Sequence, residues 1–298
     1  MSTTDTPSPG YHPSYASPDG DIILRSDDGV LFRVQSGVLI AGSGFFRGML
    51  EIPRDNVEKE NNEPIVMQET SGVLLIILEI INPMGDFPTI DSLDVAQQLV
   101  TAAEKLEVPK VITYVRRLIM RNPSFLESPL DLYILGCQNH WEEVARAAST
   151  GTLIYNLNAS IHLEKLKKLN TDDLLKLQSF HCRRKRAMID ALHPYTGSPP
   201  VINWDNMLTG HPRGGHNHSP ENYLCGPWKQ LKLDISEAME SQPRGNWLRP
   251  RSFIEQPELQ GLWVHRCLRD RCPSHSYFGK NEVHAELIRI LDLLPSSI

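Results

Sequence analysis

The sequence predicts an α+β fold, a small β-sheet covered by helices and followed by a mainly α-helical region. Two β-type runs, Ile22-Ile23-Leu24 and Val30-Leu31-Phe32-Arg33-Val34, flank the turn signal Ser26-Asp27-Asp28-Gly29. A third run, Ile65-Val66-Met67, comes after two short helical stretches. Beyond residue 70, apolar residues recur at helical spacing almost to the end of the chain. A hairpin, a distant third strand and many amphipathic helices make one sheet with helical layers.

Each element has a local cause. Asp-Gly between two apolar runs predicts a hairpin, because Gly takes the positive φ of the turn without steric cost. Residues 36–41 and 45–50 read as short helices broken by Gly42-Ser43-Gly44, whose glycines are expected to loosen the junction. The charged, Asn-rich stretch 53–64 reads as a loop. Thr70 or Ser71 caps a helix over 73–81. That run is apolar all round, a pattern also compatible with a strand, and Asn82-Pro83 ends it. Ser92 caps a helix with Leu93, Ala96, Leu99, Val100, Ala103 and Leu106 on one face. Pro109 fits the first turn of the next, whose stripe is Val111, Ile112, Val115, Leu118 and Ile119. Residues 21–121 therefore read β-β-α-α-β-α-α-α.

Further on, Ser128-Pro129 opens a helix, and Trp141, Val144, Ala145 and Ala148 mark another. Ser160 precedes a short one. Thr171-Asp172-Asp173 starts a long one reaching about Leu192, its acidic first turn suited to the positive end of the helix dipole. Residues 194–220, rich in Pro, Gly, His and Asn, read as a linker. Helices are expected at 228–239, 256–267 and 282–294. The domain reading is a tail at 1–18, an α+β domain at 19–122, a helical region at 123–195, a linker at 196–222 and a helical C-terminal module at 223–298.

The 298 residues carry thirty Lys+Arg and thirty-six Asp+Glu, a formal charge of −6. Residues 19–122 hold ten basic and sixteen acidic side chains, so the first domain carries the whole imbalance. A chain so balanced lacks a global field for nucleic acid or an anionic membrane. No apolar run approaches the ~20 residues of a spanning helix. The cysteines at 137, 182, 225, 267 and 272 are odd in number and sparse, which suits reduced thiols of the cytoplasm or nucleus. The N-terminus has the marks of neither a secretory signal nor a transit peptide. Its Pro7, Pro9, Pro13 and Pro18 among Ser and Gly read as disordered, able neither to donate ladder bonds at those prolines nor to form a helix.

The string from Asp21 to Leu50 resembles the opening of a BTB/POZ domain. Asp21, Phe32, Val34, Val38, Leu39, Ala41, Ser43 and Phe46 match the family pattern position by position. The later strand and three helices also follow in the family's order. The resemblance covers about 100 residues and is nearest to the BTB variant abundant in mushroom-forming fungi. The helices at 129–192 resemble the BACK-type extension that follows many BTB domains. Three departures stand out. Gln35 replaces the family's His, Asn82-Pro83-Met84 replaces the usual Tyr-Thr-Gly, and the loop triplet Val57-Glu58-Lys59 has Lys where cullin-binding members carry Glu.

The resemblance implies a non-enzymatic protein-protein interaction module. It implies a homodimer or recruited protein partners, with a cullin scaffold among them if the chain acts as a substrate adaptor of a ubiquitin ligase. A BTB-containing transcriptional regulator is the alternative, and an enzyme with an unrecognised C-terminal site a further one. The protein-interaction residues expected are Val38, Leu39, Phe45, Phe46 and Met49 on the first two helices, since Phe and Met are common interface anchors. Phe46 fits the core equally well. Removal of residues 1–18 is expected to leave the oligomeric state unchanged.

The residues offer little other chemistry. Gly42-Ser43-Gly44-Phe45-Phe46-Arg47-Gly48 mimics a dinucleotide fingerprint, but its third Gly comes one residue late and no βαβ unit holds it. No catalytic residues and no cofactor are expected, as neither a nucleophile elbow, a zincin helix nor a P-loop is present. His216, His218, Cys225, Cys267, Cys272 and His275 include zinc-ligand types. Their spacing is looser than the tight pairs zinc favours, so no metal is expected. The run Arg183-Arg184-Lys185-Arg186 beside Cys182 reads as a solvated helix face, with a nuclear localisation signal as the other reading.

Overall fold

The computed structural model describes residues 10–52, 63–82, 87–192, 226–264 and 278–298. They are mainly helical with one small sheet, and they fall into two compact units, Met1–Glu127 and Ser128–Ile298. Residues 53–62 of the expected loop, the linker at 196–222 and all six candidate zinc ligands lie outside the described residues.

In the first unit, β1 (Ile22–Arg25) pairs antiparallel with β2 (Leu31–Val34), Leu24 facing Phe32. Gly29 takes φ +87 in the turn, and Ser26 closes it by accepting the Val30 amide on Oγ at 2.9 Å. β1 also pairs in parallel with β3 (Ile65–Val66), giving the order β2-β1-β3. Between β2 and β3 run α1 (Ser36–Gly42) and α2 (Gly44–Glu51). α3 (Ser71–Ile81), α4 (Leu93–Lys105) and α5 (Pro109–Arg121) follow. α3 buries Val73, Leu74, Ile77, Leu78 and Ile80, and it packs on α1, α4 and α5. That central place explains why its sequence is apolar all round.

Two carboxylates from the hairpin cap helices at long range. Asp21 accepts the Ser36 amide and hydroxyl, each at 2.6 Å, at the start of α1. Asp28 accepts the amide of Ser71 at 2.8 Å and its hydroxyl at 2.6 Å at the start of α3. The expected Thr70 side-chain cap is not made; Thr70 is the N-cap residue, and the carboxylate does its work from forty-three residues away.

The expectation of a disordered tail fails for residues 10–18. The Leu31 amide donates to the Gly10 carbonyl at 2.7 Å, and the His12 amide donates to the Leu31 carbonyl at 2.8 Å. This parallel bridge covers the outer edge of β2. Pro13–Tyr15 forms a 3-10 turn with Tyr15 buried. Tyr15 and His12 pack on the Phe32 ring, centroids 5.7 and 5.3 Å away, and Arg33 lies over Tyr11. The prolines do not prevent this. The ladder bonds fall at Gly10 and His12, and Pro13 occupies a first-turn position whose amide would be unpaired anyway.

The first unit ends at Glu127 rather than 122, because the 3-10 turn Pro123–Glu127 buries Phe125. The second unit contains α6 (Pro129–Gln138), α7 (Glu142–Thr152), α8 (Leu163–Leu166), α9 (Thr171–Ala191), α10 (Gly226–Ser241), α11 (Gln260–Trp263) and α12 (Lys280–Leu293). Gly136 lets α6 meet α7, since a Cβ there would stand 2.7 Å from the Ala145 amide nitrogen. The stretches expected as two modules share one core: Met188, Ala191 and Leu192 pack with Trp228, Ile235, Leu248, Val283, Leu287 and Ile290. The helix expected at 256–267 is shorter. Gln256 is extended, Pro257–Leu259 is a 3-10 turn, and α11 ends at Trp263.

Candidate functional site

The five expected interaction residues divide between core and surface. Leu39 and Phe46 are buried, at 0% and 3% exposure, and so belong to the core of the first unit rather than to a binding face. Their helices place them there: α1 and α2 each turn one apolar stripe inward, and Phe46 follows the Ser43 cap by three residues. Phe45 is 40% exposed, while Val38 and Met49 are half-buried. Phe45 stands edge-on to Phe46, ring centroids 5.3 Å apart, so the outer ring is held by the buried one. Ile52, one residue past α2, is 63% exposed. The outward part of this helix pair is thus apolar, with Phe45 and Ile52 most prominent.

The junction that aims α2 is tight. Ser43 Oγ donates to the Leu106 carbonyl at 2.6 Å and accepts the Phe46 amide at 3.1 Å. The Gly44 amide donates to the Glu107 carbonyl at 3.1 Å, Glu107 itself having φ +51. A Cβ on Gly42 would meet Ile81 Cβ at 2.8 Å. Gly42 and Gly44 therefore serve close packing, and the expected loosening is not what they do. Arg47 Nε donates to the Ile40 carbonyl at 3.2 Å, fastening α2 to the last turn of α1. Asp21 keeps its carboxyl below the ordinary range: burial pushes it up, but the Ser36 hydrogen bonds outweigh that.

Two cavities of the second unit hold a cysteine or a histidine. One of about 280 Å³ is lined by Tyr133, Cys137, His140, Arg146, Asp173 and Lys176. Tyr133 donates to the Asp173 carbonyl at 3.0 Å, and Lys176 pairs with the Asp173 carboxylate at 3.1 Å. Burial pushes the Cys137 thiol up to about 11, so it is protonated at neutral pH and a poor nucleophile. The other, of about 260 Å³, is lined by Asn158, Gln178, His181, Cys182, Lys185 and Glu240 among others. Thr152 Oγ1 spends its proton on the Ser149 carbonyl at 2.7 Å, so it accepts from His181 Nε2 at 3.0 Å. The imidazole is neutral, and burial holds it down at about 4. Cys137 and His181 line different cavities and do not form a nucleophile–base pair.

Arg184, expected on a solvated face, is buried. Its guanidinium donates to four carbonyls, those of Pro243 at 2.8 Å, Pro295 at 2.6 Å, Arg244 at 3.2 Å and Leu291 at 3.4 Å. Its phase explains this, because Leu177, Phe180, His181, Arg184, Met188 and Ala191 form the inward stripe of α9. The aromatic segment at Tyr11–Tyr15 and this arginine are the features that sequence reasoning missed. The two tyrosines among the prolines, and the i, i+3, i+4 spacing around Arg184, are the signals that point to them.

Among the described residues no three His, Cys, Asp or Glu side chains converge as a metal set, and no helix is long and apolar enough to cross a membrane. Compared with known proteins, the chain matches no family model and no curated protein.

Proposed function

We propose that the chain is a non-enzymatic BTB/POZ-type interaction protein that self-associates through the outward face of α1 and α2 and recruits protein partners. The observation that carries this reading is the first unit's topology. A β1–β2 hairpin takes β3 in parallel on the other side of β1, with a helix pair inserted before β3 and three helices after it. That is the order the resemblance implies. The exposed Phe45 and the half-buried Val38 and Met49 supply an apolar face beside it. Recruitment of a cullin scaffold, as a substrate adaptor of a ubiquitin ligase, is the partner role that accompanies this reading.

Light scattering of the full chain tests it. A dimer at tens of micromolar is expected, burying on the order of 1,200–2,000 Å². Phe45→Asp combined with Met49→Asp should give a folded monomer with an unchanged circular dichroism spectrum. A native chain that remains monomeric overturns self-association. Failure to retain purified cullin on the immobilised chain overturns the adaptor role.

A further inference from the structure

We propose that the outer face of α5 is a docking surface for an acidic segment of a protein partner. Four of the ten basic side chains in 19–122 fall within the thirteen residues of α5, and that helix has no acidic residue. Val111, Val115 and Ile119 face the core. Lys110, Tyr114, Arg117 and Arg121 follow one another at i+4, i+3 and i+4, so they form a single stripe, turned away from the buried one. Lys110, Arg117 and Arg121 are exposed. They make no ion pair among the described residues, while the fourth cation, Arg116, is engaged and takes no part.

The stripe opposes its own helix. Lys110 stands in the first turn, where the helix dipole disfavours a cation. Arg117 and Arg121 are like charges at i,i+4, an arrangement that destabilises a helix. Arg121, in the last turn, suits the helix dipole, but Lys110 and the Arg117–Arg121 repulsion work against the helix, and an external anion relieves both. The stripe also has an apolar centre. Phe87, 53% exposed, stacks on Tyr114 with ring centroids 5.5 Å apart and an interplanar angle of 23°. Tyr114 is fixed in turn by donating to the Pro88 carbonyl at 2.5 Å. At about 1.5 Å per residue, Lys110 to Arg121 spans about 16 Å, the reach of a short peptide.

An acidic peptide with an aromatic or aliphatic anchor satisfies both features: carboxylates on the three cations, and the anchor against the Phe87–Tyr114 stack. A nucleic-acid strand has matching chemistry locally, but the first domain's net −6 repels a long polyanion that extends past the stripe. A peptide ends where the positive field ends. This surface lies on a different helix from the α1–α2 face, and the inference does not depend on self-association.

Fluorescence anisotropy on the full chain is the test, with three labelled probes: a Glu-Asp repeat around one Trp, a Gln-Asn repeat around one Trp, and an oligothymidylate. The acidic peptide should bind in the micromolar range, and more weakly as salt rises. Arg117→Glu with Arg121→Glu should weaken it by about tenfold or more, and Phe87→Ala should weaken it without changing its salt dependence. The double charge variant should stay folded, its two residues being exposed, and Phe87→Ala should keep the native circular dichroism spectrum while losing only the stack on Tyr114. The light-scattering mass of the double variant should stay that of the native chain, and Phe45→Asp should leave peptide binding intact, so failure here is distinguishable from failure of self-association. Equal binding of the acidic and neutral peptides overturns the proposal, as does binding that survives charge reversal. Preference for the oligothymidylate overturns it in favour of single-stranded nucleic acid.

Discussion

The hydroxyl of Ser43 donates to the Leu106 carbonyl at 2.6 Å across sixty-three residues of sequence. The same oxygen caps α2 by accepting the Phe46 amide, so one buried side chain both starts a helix and ties it to the end of α4. Ser43→Ala removes a cap and leaves a carbonyl without that donor, a loss of about 2 kcal/mol. Urea unfolding followed by circular dichroism should show the midpoint fall with little change in slope. An unchanged midpoint would mean that the junction is held by packing alone.

Tyr15 separates packing from hydrogen bonding. Its ring is buried against Phe32, but its hydroxyl has no partner among the described residues, and burial pushes its pKa up to about 12. Tyr15→Phe keeps the packing and removes a desolvated polar group, so stability should stay level or rise by up to about 1 kcal/mol. Tyr15→Ala should lower it by about 3–5 kcal/mol, the usual range for emptying an aromatic site. Equal effects of the two substitutions in thermal melts would show that Tyr15 is not packed as described.

His181 gives the second unit an acid sensitivity. The folded ring takes a proton only near pH 4, whereas in the unfolded chain it does so near 6.5. Between those values the unfolded state binds more protons, so stability falls as pH drops through that window and is flat above it. The full loss is about 3 kcal/mol. Asp28, whose pKa hydrogen bonds from Ser26 and Ser71 hold down at about 2, stays ionised throughout, so the α3 cap does not fail first. Urea midpoints between pH 7 and 4, compared with those of His181→Gln, check this. The variant should lose most of the pH slope.

Arg184 ties four carbonyls of the second unit to α9. A lysine there keeps the charge but cannot reach four carbonyls with one ammonium. Arg184→Lys should lower stability by about 1–2 kcal/mol and Arg184→Met by about 3 kcal/mol or more, since several buried acceptors then lose charged donors. Hydrogen exchange of the segment following α12 should rise in both. Exchange that stays native in Arg184→Met would contradict the clamp.

The helices and hairpin were legible in the sequence because each rests on short-range chemistry: an Asp-Gly turn, a Ser or Pro at a helix start, an apolar stripe. What escaped was long-range. Asp28 caps a helix forty-three residues on, and no local pattern joins it to Ser71. The glycines of the α1–α2 junction look like flexibility until Ile81 and Glu107 are seen against them. Arg184 is charged, and charge outweighed its position in the stripe. Of the five expected interface residues, alternation on a short helix could not separate Phe45 from Phe46, since the choice depends on what stands behind the helix.

The bridge from Gly10 and His12 to Leu31 bears on how the chain stays singular. A bare strand edge is a template on which any extended segment can add, and natural sheets cover or interrupt such edges. Here the cover is the chain's own Tyr11–Tyr15 stretch, with two rings laid over Phe32. Clipping by a protease after residue 18 would leave the hairpin intact yet expose both a hydrogen-bonding edge and an aromatic surface. The shortened protein would then be prone to stack strand upon strand into aggregates, a fate distinct from dimerisation through helices and one that a few N-terminal residues hold off.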